Sequence, residues 1–235
     1  RVVRIMEIVK FNSMSTKFEP LNVLTTLGNP IFKLNPKVLA LKHSAGAQIS
    51  SFFADGDIAS GGLDFTKRAA ENANAIFTGD AITFPSTAFG CGKVIPQNKP
   101  TTIIMDFETL VFGTSRVVSI GTSQTNMFLV EHKSASSLAI TVNHGNLISI
   151  PVGKPLGTRI KLAIVSRDGS ADIILDGQVV GNLPSTLPSF VNNLFILNGQ
   201  SAASAPSNQH KIYGLEIYSG INHTNADVIK YMQSM

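Results

Sequence analysis

The 235-residue chain lacks the features on which disulfide-rich, membrane-spanning and disordered proteins depend. Cys91 is its single cysteine, so no disulfide can form within the chain and a disulfide-stapled scaffold is excluded. No apolar run approaches the roughly 18 residues that cross a bilayer, so we expect no membrane insertion. Charged residues make up 14% of the chain and hydrophobic residues 43%, which excludes a disordered polymer and predicts a buried core.

The chain also lacks a cluster of positive charge. Its net charge is +4, but the 19 basic residues are scattered, and only Lys67 and Arg68 are adjacent. Nucleic-acid binding needs a basic stripe with stacking aromatic side chains, so we expect none here. Residues 1–10 lack the apolar stretch of a signal peptide, and the chain starts with Arg. We therefore expect residue 1 to be a processed end or a position inside a longer protein.

The second half of the chain has the pattern of a β-sandwich or barrel. Short runs rich in Val, Ile, Thr and Phe recur between clusters of Gly, Asn, Ser and Pro. The predicted strands lie at 81–84, 101–110, 116–121, 126–131, 137–143, 146–150, 159–166, 171–176, 178–182, 193–198 and 211–218.

Two Asp-Gly pairs and one capped segment mark local structure. Asp176-Gly177 separates two β-rich runs and predicts a hairpin with a type I′ turn, and Asp168-Gly169 predicts the same turn one strand earlier. Residues 222–232 carry Thr or Asn as an N-cap, an early acid and apolar residues on one face. This segment is predicted to be a short C-terminal helix.

Residues 1–78 contain many apolar side chains but keep no sustained period, and three prolines interrupt them. We interpret them as an N-terminal arm that anchors or assembles the protein, and residues 79–235 as the sandwich. Whether the arm packs into the sandwich is open at this point.

The order of these elements resembles the concanavalin A-like lectin and glucanase superfamily in its laminin-G-like form. The resemblance rests on the opening strand 79–84, the long strand 101–108, the hairpin at 173–180, and the strand 211–218 followed by a helix. It implies an all-β fold, an antiparallel two-sheet jelly-roll sandwich with a short C-terminal helix and an N-terminal arm. The fold hosts lectins, adhesins, hydrolases and structural modules, so it does not give the function.

A Cys-poor chain rich in Ser, Thr, Asn and Gly, with a poorly patterned N-terminal arm, is similar to bacteriophage tail fibre, tail spike and other virion surface proteins. This resemblance implies a structural or attachment module on the virion surface. Its partners would be other virion proteins or further copies of itself, with a trimer as the first expectation, and cell-surface glycans. An extracellular or cell-surface location is the alternative.

No catalytic motif is recognisable. Asp106 and Glu108 share one strand face and form the best carboxylate pair, but glucanases of this fold need a third acid on that strand. Cys91 stands between two glycines without an adjacent His or Asn, so it is interpreted as a thiol in a flexible loop. We therefore expect that the chain is not an enzyme. A glycan-degrading enzyme, or a cellular carbohydrate-binding module, is the alternative.

Ligand-binding candidates lie at strand ends. His132, Asn143 and His144 have side chains suited to sugar hydroxyls. The chain has no Trp and three Tyr, so aromatic platforms are few; Tyr213 and Tyr218 are five residues apart on one predicted strand and should face opposite sides. No cofactor and no metal are expected.

Calcium is the ion that the resemblance leaves open. Laminin-G-like domains bind it through an Asp and backbone carbonyls, and Asp168 or Asp176 could take that role, although both are already explained by their turns.

Overall fold

The computed structural model describes residues 27–40, 43–54, 63–67, 74–85, 89–93, 99–112, 116–123, 126–142, 146–184, 193–197 and 209–235. The strands in these residues are β1 (Phe32–Leu34), β2 (Gln48–Ile49), β3 (Ser51–Ala54), β4 (Leu63–Lys67), β5 (Ala75–Phe77), β6 (Ile82–Pro85), β7 (Phe89–Lys93), β8 (Thr101–Val111), β9 (Val118–Ser123), β10 (Asn126–Ser134), β11 (Ser137–Val142), β12 (Asn146–Pro151), β13 (Arg159–Arg167), β14 (Ser170–Leu175), β15 (Gln178–Leu183), β16 (Asn193–Leu197) and β17 (Gln209–Ser219). The helices are α1 (Pro36–Leu39) and α2 (Asn225–Ser234).

The strands form two antiparallel sheets that pack face to face. The first sheet has the order β15-β14-β13-β8-β17-β6-β5-β2, with β1 also paired to β17. The second has the order β12-β11-β10-β9-β16-β7-β4-β3. The predicted all-β antiparallel sandwich with a short C-terminal helix is confirmed.

Each strand predicted between residues 81 and 218 is present, with ends displaced by at most three residues. The hairpin at Asp176-Gly177 has the positive φ values that a type I′ turn requires, 47° and 82°. The second turn differs from the prediction, because Gly169 has φ 80° while Asp168 does not enter the positive region. The sequence predicts a loop at Cys91, but this residue lies in β7 and pairs with Phe195 of β16.

Part of the N-terminal arm packs into the sandwich. Residues 32–77 supply β1 to β5, which pair with strands of both sheets. Phe32, Leu34 and Phe77 are at most 2% exposed and belong to the main core. The boundary predicted after residue 78 falls between β5 and β6, which pair with each other. The division of the chain into an assembly segment and a sandwich stays a prediction.

The core lies between the sheets, and a smaller apolar cluster lies outside the first sheet. In the main core, alternate residues of β8 such as Ile103, Met105 and Phe107 face the second sheet. On the opposite face of β8, Ile104 packs with Val228 and Met232 of α2. Burying each of these two helix side chains contributes roughly 2 kcal/mol, so α2 is held to this face of the sheet.

Helix α2 begins at a complete capping box. The Thr224 hydroxyl accepts a hydrogen bond from the Asp227 backbone N–H, and the Asp227 carboxylate accepts one from the Thr224 backbone N–H. Hydrogen bonding to Thr224 lowers the pKa of Asp227. Among the described residues, no helix is long and apolar enough to cross a membrane.

Candidate functional site

The outer face of the first sheet, which is the face directed away from the second sheet, has a covered half and an open half. Helix α2 covers Ile104, Ala163 and Ile174. Further along β8, beyond the helix, the outward positions are Asp106 and Glu108. Their shared face is the one that their i, i+2 spacing predicts.

A break in the sheet edge opens this half of the face. Along one edge of β17, residues 209–212 pair with β6 and residues 215–217 pair with β1. Tyr213 and Gly214 lie between these two partners. On the other edge, the register of β17 against β8 shifts between Ile212 and Gly214, which is a β-bulge at Tyr213. Bulges bend a strand and change the direction of its side chains, so the polar residues here surround a depression.

We call this depression the outer-face cleft. Its volume is about 430 Å³, within the range of small-ligand sites. It is lined by Lys33, Leu34, Asn35, Asp80, Asp106, Arg159, Tyr213, Gly214, Glu216, Tyr231 and Met235.

The first charged pair of the cleft joins β8 to β13. Arg159 donates from Nε and Nη2 to the two carboxylate oxygens of Asp106, each at 2.6 Å. The Asp106 side chain is 2% exposed and that of Arg159 is 48% exposed. Hydrogen bonding to Asp106 raises the pKa of Arg159. The bidentate geometry fixes the guanidinium at the wall of the cleft and leaves its outer edge to solvent.

The second charged group is Glu216 on β17. Lys33 Nζ lies 2.7 Å from Oε1, and the Tyr231 hydroxyl donates to Oε2 at 2.7 Å. The Tyr218 hydroxyl donates to the same Oε2. Burial raises the pKa of Tyr231 to about 12 and also raises that of Tyr218, so both phenols stay protonated and keep donating. The Glu216 side chain therefore receives three contacts, from Lys33, Tyr218 and Tyr231.

Tyr213 lies across the cleft. Its hydroxyl donates to Glu108 Oε2 at 2.8 Å, and the Arg159 guanidinium carbon lies 4.0 Å from its ring centroid. Lys211 Nζ is 4.8 Å from the same centroid and 3.9 Å from Asp80. The cation–π contacts and the hydrogen bond hold the Tyr213 ring in place.

The prediction that Tyr213 and Tyr218 face opposite sides of β17 is wrong. Tyr213 bonds Glu108, and Tyr218 packs with Ile104 and α2, all on the outer face. Tyr213 is itself the extra residue of the bulge, and this reverses the alternation that a count of five predicts.

The binding residues predicted from the sequence do not lie in the outer-face cleft. His132 is 2% exposed, and its Nδ1 lies 2.9 Å from the Thr109 hydroxyl between the sheets. Asn143 and His144 lie outside the described residues. Ligand binding by His132, Asn143 and His144 stays a prediction.

The described residues contain no group of three His, Cys, Asp or Glu side chains that could hold a metal ion. Asp176, considered for calcium, accepts a hydrogen bond from the Lys161 backbone N–H at 3.0 Å and pairs with Lys154 at 2.8 Å. These contacts support its role in the turn.

No protein-family model and no curated protein matches the chain. Solved structures are similar in fold. Trypanosoma rangeli sialidase, in complex with 2-keto-3-deoxy-D-glycero-D-galacto-2,3-difluoro-nononic acid, has a TM-score of 0.64 and 13% identity over 90% of this chain and 34% of the sialidase chain. The binding domain of botulinum neurotoxin serotype D/C has a TM-score of 0.58 and 10% identity over 88% of this chain and 52% of that chain.

A third similar structure is Ruminococcus gnavus IT-sialidase CBM40 bound to α2,3-sialyllactose, with a TM-score of 0.48 and 13% identity over 60% of this chain and 91% of that chain. The chain spans 34% of the sialidase and 52% of the neurotoxin domain. At 13% and 10% identity, the likeness to the sialidase and to the neurotoxin domain shows the β-sandwich fold.

The prediction that the chain is not an enzyme is contradicted, because several of the solved structures that it resembles in fold are sialidases. That prediction rested on the absence of a third acid near Asp106 and Glu108 in the sequence. The fold supplies further acids from separate elements, since Asp80 precedes β6, Glu216 lies on β17, and both line the cleft with Asp106. A strand-local search for acids could not find this arrangement.

Proposed function

We propose that the protein is a carbohydrate-binding β-sandwich module that binds glycans in the outer-face cleft. The observation that carries this proposal is the cleft itself, a 430 Å³ depression lined by both hydrogen-bond acceptors and hydrogen-bond donors. The acceptors include the carboxylates of Asp80 and Asp106, and the donors include Lys33 and Arg159.

This lining suits a ligand with many hydroxyl groups. Each sugar hydroxyl donates one hydrogen bond and accepts others, so it can bridge a carboxylate and a neighbouring cation. Asp106 with Arg159 and Glu216 with Lys33 present two such pairs. Charge-assisted hydrogen bonds are stronger than neutral ones, and groups already fixed by their partners lose little freedom on binding.

The structural likenesses give additional support. The similar sialidase structure contains a sugar-acid ligand, and the similar neurotoxin structure is described as a binding domain. The fold is therefore compatible with glycan recognition, and the cleft residues of this chain carry the proposal.

A place on a virion surface is a further proposal and rests on the sequence resemblance alone. The same holds for other virion proteins as partners and for assembly into a trimer. A cell-surface glycan is the partner that the cleft chemistry supports.

Glycan hydrolysis is a second candidate function. Its support is the presence of three carboxylates, Asp80, Asp106 and Glu216, in the lining of one cleft. Most glycoside hydrolases use a pair of carboxyl groups that flank the scissile bond. Release of reducing ends from each glycan that binds, measured during long incubation, would establish it.

A glycan array probed with the full chain tests the proposed binding. We expect binding to a subset of glycans, and Lys33→Ala should weaken it about tenfold because a charged donor to a hydroxyl is lost. The matched control is Lys133→Ala. Lys133 also pairs with a glutamate, Glu131 at 3.4 Å, but it lies on β10 in the second sheet.

Melting temperatures of both variants distinguish lost binding from lost folding. Equal losses of binding in Lys33→Ala and Lys133→Ala, or no binding to any glycan, would refute the proposal.

A further inference from the structure

The charges that line the outer-face cleft do not balance. Among the described lining residues, Lys33 and Arg159 are cations, whereas Asp80, Asp106 and Glu216 are carboxylates. Two positive and three negative charges leave a net charge of −1. The balance stays negative when the neighbouring pair of Lys211 and Glu108 is added.

Both lining cations already form ion pairs with carboxylates of the cleft. Arg159 makes two hydrogen bonds of 2.6 Å to Asp106, and Lys33 lies 2.7 Å from Glu216. An anionic ligand that took either cation for itself would leave a nearly buried carboxylate without its partner. Asp106 and Glu216 have side chains only 2% and 6% exposed, so water could not replace the lost cation effectively.

An uncharged hydroxyl can bind without separating either cation from its carboxylate. It can accept from an N–H of Arg159 that Asp106 does not use, or donate to a second lone pair of a carboxylate oxygen, and each ion pair stays intact. Asp80, at the rim, has a 62% exposed side chain with Thr78 and Lys211 as neighbours, so a ligand can reach its oxygens directly.

We infer that the cleft selects neutral glycans and discriminates against their sialylated or sulfated forms. This inference rests on the proposed function and adds the ligand class. The inferred ligands of this cleft differ from those named in the descriptions of the similar sialidase and CBM40 structures, which are a sugar acid and a sialylated glycan.

The test uses the full chain and neutral glycans, each displayed beside its sialylated and sulfated counterpart on the same linker. We expect the neutral form of each bound glycan to bind at least about fivefold more tightly. Repulsion between two like charges about 4 Å apart weakens binding by about that factor even when both are fully solvated. The preference should shrink as salt is raised, since screening weakens the repulsion.

Asp80→Lys provides the variant arm. It changes the net charge of the lining from −1 to +1 at an exposed position, and it should reduce or reverse the preference for neutral glycans. Asp168→Lys is the matched control, because it makes the same charge change in the exposed β13–β14 turn. Asp168 lies nine residues from Arg159, roughly 30 Å along the strand and well beyond the screening length.

The outcomes separate the two proposals. The inference is supported if the wild-type chain prefers neutral glycans, Asp80→Lys removes that preference, and Asp168→Lys keeps it. Equal or tighter binding of the sialylated or sulfated forms overturns the inference and leaves glycan binding in place. Binding to no glycan overturns the proposed function and this inference with it.

Discussion

Acidification should destabilise the protein before most of its carboxylates titrate, because two histidines are buried between the sheets. His210 of β17 is 0% exposed, and its Nδ1 lies 3.1 Å from the hydroxyl of Thr109. The same hydroxyl bonds Nδ1 of His132 at 2.9 Å. Burial and the neighbouring His132 lower the pKa of His210 from 6.5 to about 3, and burial lowers that of His132.

The direction and size of the change in unfolding free energy follow from proton linkage. Below the unfolded pKa of 6.5, the unfolded chain binds a proton at His210 while the folded protein does not. The free energy of unfolding should therefore be highest above pH 6.5, as far as His210 determines it, and should fall as pH decreases towards about 3. His210 alone should remove about 2 kcal/mol between about pH 7 and about pH 5, and His132 should add to the loss.

Urea unfolding followed by far-UV circular dichroism at several pH values measures this slope, since the chain has no Trp for fluorescence. His210→Gln should be less stable at neutral pH but should lose less stability on acidification, by about 1.4 kcal/mol per pH unit. Lys133→Gln, an exposed change on the strand of His132, should keep the wild-type slope. Parallel slopes for wild type and His210→Gln would show that His210 titrates normally in the folded protein, and the burial argument would be refuted.

Substitutions at three positions test local features of the fold by thermal or urea unfolding. Asp176→Ala should cost about 1 kcal/mol because the residue has φ 47°, and Asp176→Asn should cost less because Asn tolerates this conformation; equal costs would contradict the turn assignment. Thr224→Ala should cost about 1 kcal/mol by removing the N-cap of α2, and an unchanged stability would show that packing alone holds the helix. Arg159→Ala should cost about 3 kcal/mol because Asp106 loses its partner while buried, and a cost near zero would indicate that water replaces the guanidinium.

Local signals made most of the second half of the chain predictable. Long strands such as β8 and β13 have enough residues to display their pattern, and the glycine turns mark where they end. The N-terminal strands gave no such signal because β1, β2 and β5 have only two or three residues each. Their places are set by partners far along the chain, as in the pairing of β1 with β17, and no local pattern encodes such a partner.

The candidate site was predictable only in part. The i, i+2 spacing placed Asp106 and Glu108 on one face of a strand. Lys33 and Arg159, which complete the charge pairs, come from β1 and β13, and the sequence around each residue resembles any solvated strand. The bulge at Tyr213 was missed, although Gly214 lies inside the strand and a glycine within a strand often marks a bulge.

The same edge defect explains why the polar residues concentrate at this place. Because β17 pairs first with β6 and then with β1, neither of these two described strands pairs with this edge at Tyr213 and Gly214. A continuous strand there would present side chains at a regular spacing on a closed surface. The break instead forms a depression, and charged residues can line it because solvent reaches it. Substitutions at the exposed lining residue Asp80 should affect the core little, since the core side chains of β8 and β17 point the other way.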